Sequence, residues 1–136
     1  MRIAPASPAD APEVQPLRRA LSPDDEGAPY EHELTLLARD DAGAAIGFAE
    51  ASIRRDPVNG CETSPVGFLE GLFVTPAQRR HGIARALVDA VADWTRAQGL
   101  HELASDALLE NEVGHAAHHA IGFAETERIV CFKRAL

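Results

Sequence analysis

PVGFLEGLFVTPAQRRHGIARALVDAVADWTRA, residues 65–97, decides how the rest of the chain is read. Val66, Phe68, Leu69, Leu72, Phe73 and Val74 form an apolar run of strand length, with Gly67 and Gly71 inside it. Glycine in a strand interior marks a bulge or a close backbone approach. Thr75-Pro76 ends the strand, because proline has no N–H to give to a ladder. Ile83, Leu87, Val91 and Trp94 then recur at helical spacing. Gly99 stands where a helix C-terminus favours a left-handed residue.

Between strand and helix lies the turn Gln78-Arg79-Arg80-His81-Gly82-Ile83-Ala84. A helix N-terminus offers backbone N–H groups without intrahelical partners and a partial positive charge. Gly82 and Ala84 are small enough for an anion to approach the backbone, and two arginines and a histidine add charge. The turn reads as a pyrophosphate cradle, against the plainer reading of a solvated basic connection.

Arg79-Arg80-His81-Gly82-Ile83-Ala84 resembles the Arg/Gln-x-x-Gly-x-Gly/Ala loop of the GNAT acetyltransferases. Longer strings are similar to the aminoglycoside 6'-N-acetyltransferases within that superfamily: Val58-Asn59-Gly60, Glu62 to Gly71, Ala104-Ser105-Asp106-Ala107 and Gly122 to Glu127. The resemblance covers the chain from about Ala49 onward and is thinner before it. It implies an α/β GNAT fold: a mixed, mostly antiparallel sheet whose central parallel strands splay apart, flanked by helices. It also implies acetyl-CoA as co-substrate, no metal, a small cationic acceptor and a homodimer.

Working outward, 136 residues make one domain, 1–136, long enough to bury a core. No apolar run approaches a membrane span, and Met1-Arg2-Ile3-Ala4-Pro5 lacks a signal-peptide core. Cys61 and Cys131 do not make a disulfide framework, so both read as reduced and the protein as cytoplasmic. A formal charge of −8 argues against a nucleic-acid partner and suits a cationic substrate, although solubility alone favours acidic surfaces.

Met1–Ala6 reads as a first strand. Ser7-Pro8-Ala9-Asp10 opens a helix continued by Val14, Leu17 and Leu21. Ser22 to about His32 reads as a short second helix or a loop. Asp40-Asp41-Ala42-Gly43 is a hairpin connection between strands at about Leu34–Arg39 and Ala44–Arg54. His101–Ser105 is the next strand, parallel to the central one. Asn111 caps a helix from about Glu112 to Ile121, stopped by Gly122, and Ile129–Arg134 supplies a last strand.

Acetyl transfer needs a deprotonated amine, a donor for the developing oxyanion, and a proton for the departing thiolate. The resemblance implies a bulge at Gly71 and the Leu72 backbone N–H as oxyanion donor. It assigns the cofactor to Leu72, Phe73, Val74 and the loop Arg79, Arg80, His81, Gly82, Ile83, Ala84, Arg85. Asn111 is implied at the pantetheine arm, or it merely caps its helix. Glu70 is an acid inside an apolar run, hence a candidate to hold or deprotonate the substrate amine; a neighbouring arginine satisfying it is the alternative. Asp106 follows a parallel strand at its carboxyl end, where ligands of open sheets gather; a turn cap is its alternative. Many GNAT enzymes carry a tyrosine acid five residues before the phenylalanine of a Gly-Phe pair, and His118 stands at that spacing from Phe123. His118 is therefore a candidate acid, with solvent as the alternative.

Tyr30 and Glu31, in an acidic run with Asp24, Asp25, Glu26 and Glu33, are candidate substrate contacts. His115, His118 and His119 share a helix face, but no third ligand type accompanies them, so no metal is expected. The sequence reading is a 6'-N-acetyltransferase working by direct attack, because no cysteine lies in the organising stretch to carry an acyl group. A polyamine or protein N-terminal acetyltransferase, and a non-catalytic acyl-CoA-binding domain, stay open at this point.

Overall fold

The strand, turn and helix of residues 66–97 form as expected, and the rest of the sheet is built on them. The structure is a computed structural model that describes residues 1–23 and 32–136. The chain divides into two compact units, Met1–Ser105 and Asp106–Leu136.

The first unit holds five strands in sequence order: β1 (Arg2–Pro5), β2 (Leu34–Arg39), β3 (Ala45–Arg54), β4 (Val66–Val74) and β5 (Leu103–Ala104). The first three pairings are antiparallel and β4–β5 is parallel. The β2–β3 hairpin turns where Asp40 predicts it. Its Oδ1 accepts from the N–H groups of Ala42 and Ala44 at 3.0 and 2.9 Å, and Gly43 takes φ +86°. β5 is shorter than the expected 101–105.

Two helices cover opposite faces of this sheet. On one side, α1 (Ala11–Leu21) follows a short 3₁₀ turn at Pro8–Asp10 and buries Val14 and Leu17 against Leu37 and Phe48. On the other, α2 (Ile83–Ala97) buries Ile83, Leu87, Val88, Val91 and Thr95. Their 3-, 4- and 7-residue spacings make one apolar stripe, which is why this segment is a helix with a face to bury. Gly67 lets α2 come close: a Cβ there would lie 2.6 Å from Thr95 Oγ1. Thr95 in turn donates to Val91 O at 2.8 Å, so its hydroxyl is satisfied inside the contact. Gly99, at φ +78°, ends α2 as expected.

The second unit contains α3 (Glu112–Ala120), one residue shorter than expected and followed by Gly122 at φ +101°. Asn111 caps it by accepting the Gly114 N–H at 3.0 Å. The strand expected at Ile129–Arg134 is not formed: residues 123–136 carry no regular secondary structure. Ile129, Val130 and Phe132 are exposed. Apolar alternation signals strand propensity, but a strand also needs a neighbour to pair its amides, and this unit has none. Among the described residues no helix is long and apolar enough to cross a membrane. The sequence-predicted segment from Asp24 to Glu31 lies outside the described residues.

Candidate active site

The site is built on an irregularity in β4. Against β3, Glu50 pairs with Gly71 but Ala51 pairs with Leu69, so Glu70 is an extra residue in the ladder. Such a bulge shifts the phase of the strand. Before it, the Gly67 N–H donates to Glu102 O of the chain entering β5 at 3.0 Å. After it, the Thr75 N–H donates to Ile46 O of β3 at 2.9 Å. Backbone groups alternate sides along a strand. Counting back from Thr75, Phe73 and Gly71 face β3, whereas Leu72 and Val74 face the side of β5. Had the strand kept a regular alternation from Gly67 through Glu70, with no bulge, Leu72 would face β3.

On that side the β5 ladder has already ended. The parallel pairing is limited to Gly67–Leu103 and Phe68–Ala104. A contact of 3.5 Å from Ser105 Oγ to Leu69 O is the next link along the strand. Past Leu69, β4 has no strand partner on that side among the described residues of this unit. The Leu72 and Val74 backbone groups therefore project from a strand paired on one edge only. This is the bulge expected from Gly71, carried by the residue before it.

The turn that follows runs directly off this edge. Val74 O accepts the Arg79 Nε–H at 2.9 Å, and the same guanidinium lies 5.5 Å from the Phe73 ring centre. Arg79 thus clasps the loop to the strand. Arg80 adopts φ +66° and Gly82, the N-cap of α2, φ +77°. A left-handed non-glycine residue costs on the order of 1–3 kcal/mol and recurs where backbone N–H groups converge on a ligand. At Gly82 there is open space for a Cβ, so the requirement for glycine is conformational. The first intrahelical bond runs from Ala86 N to Gly82 O at 3.0 Å. The amides of Ile83 and Ala84 precede it, at the positive end of a 15-residue helix. Arg80, His81, Gly82 and Arg85 are exposed around them, while buried Ile83 anchors the helix start. An anion with several oxygens fits this donor set.

The α1 face of β3 and β4 carries two acids. Glu50 is 4% exposed and takes two hydrogen bonds from Arg18 of α1, at 2.5 and 3.0 Å. His32 Nε2 lies 3.4 Å from its other side, and His32 Nδ1 is 3.1 Å from Ser52 Oγ. Sequence reasoning missed this cluster, although an acid in an apolar strand was the same signal that singled out Glu70. Glu70 is half-buried and paired through both oxygens with Arg54, at 3.0 and 2.9 Å. Arg54 Cζ lies over the Phe68 ring, 3.7 Å from its centre. The alternative of a neighbouring arginine thus holds for Glu70 in this state.

Leu72, Phe73, Val74 and the residues from Arg79 to Arg85 belong with Glu70 to the first unit. Asp106, Asn111 and His118 belong to the second. Asp106 is exposed there, and Asn111 is occupied as a helix cap. His118 Nδ1 is 2.7 Å from Gly114 O, and its ring meets Phe123 edge-on at 5.3 Å. A carbonyl can only accept, so Nδ1 carries the proton in this contact. Tyr30 and Glu31 lie outside the described residues. Among the described residues no three His, Cys, Asp or Glu side chains are grouped to hold a metal.

Residues 6–123 match the model of the acetyltransferase (GNAT) family. The chain is 46% identical to aminoglycoside N(6')-acetyltransferase type 1 of Acinetobacter baumannii, covering 98% of each chain. It is similar to the crystal structure of the aminoglycoside antibiotic 6'-N-acetyltransferase of Acinetobacter haemolyticus, with TM-score 0.93 and 43% identity. That alignment covers 100% of this chain and 99% of the other. It also matches AAC(6')-Iy, solved with the bisubstrate analogue CoA-S-monomethyl-acetylneamine, at TM-score 0.89 and 39% identity, covering 99% and 98% of the two chains.

Proposed function

This chain belongs to the GNAT acetyltransferase family, and from that premise we propose that it acetylates the 6'-amine of aminoglycosides, with antibiotic resistance as the consequence. The observation that carries the reading is the pairing of a phase-shifted β4 edge with an anion cradle a few residues downstream. Acetyl-CoA supplies an activated acetyl thioester. The amides from Gly82 to Ala84, with Arg80, His81 and Arg85, receive its pyrophosphate. Val74 and Phe73 line the arm, and Asn111 adds a contact to it. A single family model matching residues 6–123 supports reading 1–136 as one domain.

Glu70 and Asp106 are the carboxylates that hold the cationic acceptor and take the proton from its ammonium, and Tyr30 and Glu31 add contacts to it. The freed amine attacks the carbonyl carbon, the Leu72 N–H stabilises the oxyanion, and the C–S bond breaks. The thiolate takes a proton from His118 or from solvent. Capture of a relative with one molecule joining CoA to an acetylneamine supports direct attack in a ternary complex. No cysteine lies near the Leu72 edge in sequence, which fits the absence of a covalent acyl carrier.

The enzyme works in the cytoplasm as a homodimer. Two unpaired cysteines fit a reducing compartment, and the exposed Ile129, Val130 and Phe132 fit a strand completed only by a second copy. Sedimentation of wild type against Phe132→Asp tests this: a dimer becomes a monomer, whereas a monomeric wild type refutes it.

The function itself is tested by thiol release from acetyl-CoA. Turnover occurs with kanamycin or tobramycin and disappears with an analogue carrying a 6'-hydroxyl. Turnover on spermidine alone would replace the reading with a polyamine enzyme.

A further inference from the structure

Two acids on one face of the sheet are held in opposite ways. Glu50 is saturated: its side chain is 5% exposed and has Arg18 on both oxygens and His32 beside it. Removing Arg18 would strand a charge in the sheet. Glu70, at the bulge, has a side chain 17% exposed and a partner, Arg54, that is 44% exposed. With its arginine largely in solvent, this pair is weaker than the enclosed Glu50 pair and contributes a factor of about five in an equilibrium. Arg54 stands at the last position of β3 and rests its guanidinium on Phe68. It therefore has a platform of its own that does not depend on Glu70.

While the Arg54 fork engages both oxygens of Glu70, a substrate ammonium is left only their remaining lone pairs. A second cation brought to the same carboxylate also meets the charge of Arg54. We propose that Arg54 is a built-in surrogate for the substrate cation: it occupies Glu70 in the empty enzyme and must be displaced by the incoming ammonium. The inference rests on the reading of Glu70 as an acceptor contact. Arg54 then sets specificity by charge. A polycationic acceptor makes enough contacts to displace it, and a monoamine, which offers one weak exchange of cation for cation, does not.

The test is steady-state kinetics on Arg54→Gln and Glu70→Gln, varying aminoglycoside and acetyl-CoA separately. Arg54→Gln lowers the aminoglycoside KM about three- to fivefold. It leaves the acetyl-CoA KM unchanged and gains proportionally more for a simple monoamine. A thermal melt controls for folding, and Arg54→Lys, which keeps charge but not the fork, gives an intermediate KM. An aminoglycoside KM that stays the same or rises in Arg54→Gln overturns the proposal. If Glu70→Gln leaves kcat/KM for the aminoglycoside intact, the underlying reading of Glu70 fails instead. The two failures are therefore separately visible.

Discussion

The two halves of β4 have similar apolar composition and opposite surroundings. Val66 to Leu69 are all buried and bonded on both edges, to β3 and to β5 or the chain beside it. Gly71, Leu72 and Phe73 are half-buried and, among the described residues, paired to β3 alone. One inserted residue, Glu70, separates them. The first half is scaffold, closed by α2 against Gly67. The second half keeps the same ladder to β3 but turns alternate amides outward. A strand is normally silent chemically because its amides are spent on neighbours. Here the bulge, together with the early end of β5, releases two of them where a ligand can use them.

The largest expected effect breaks the second half without touching the first. Leu72→Pro removes an N–H that the phase argument takes off the β3 ladder. Proline is tolerated at bulges and on unpaired edges. The variant should melt near wild type and lose about 10²–10³ in kcat, the range for one oxyanion donor. Phe73→Pro, one residue on, removes an N–H that faces β3 and should instead lower the melting temperature.

A middle-sized effect separates the halves by packing. In Gly67→Ala the new Cβ would lie 2.6 Å from Thr95 Oγ1, and α2 must shift, costing about 1–3 kcal/mol in a denaturant titration. In Gly71→Ala the nearest atom is Leu21 Cδ2 at 3.4 Å, so stability should change by less than about 0.5 kcal/mol. Equal losses in the two variants would mean that both halves are packed alike.

The smallest effect lies away from β4 and serves as its control. Arg39 pairs with Asp10 and Glu13 across β2 and α1. The Ser7 backbone N–H, with Arg39 also contributing, holds the Asp10 carboxyl below its usual range, and hydrogen bonds from Arg39 do the same for Glu13. Because these folded-state values are depressed, the stabilisation is present above the ordinary carboxylate range and lost as pH falls through them. The melting difference between wild type and Arg39→Gln should therefore narrow below about pH 4. At neutral pH the variant should keep its kcat/KM.

Much of this contrast is legible in the sequence. The apolar run, Pro76 and the helical spacing of Ile83, Leu87 and Val91 located strand, turn and helix, because each rests on local backbone chemistry. Gly71 pointed to the bulge for the same reason. Partners set by sheet register were not legible. Arg54 meets Glu70 across 16 residues of sequence, and Arg18 meets Glu50 across 32. Which arginine faces which acid depends on strand pairing that the sequence does not display. The strand expected at Ile129–Arg134 failed for a related reason. Propensity is local, whereas pairing needs a neighbour.

The most direct test of the account is amide hydrogen exchange by NMR, residue by residue along β4, with and without acetyl-CoA. The phase shift predicts that Gly71 and Phe73 are protected in both states, while Leu72 and Val74 slow markedly only when acetyl-CoA is added. If Leu72 is already as protected as Phe73 in the free enzyme and does not respond to acetyl-CoA, its N–H is spent within the sheet and the central claim is wrong.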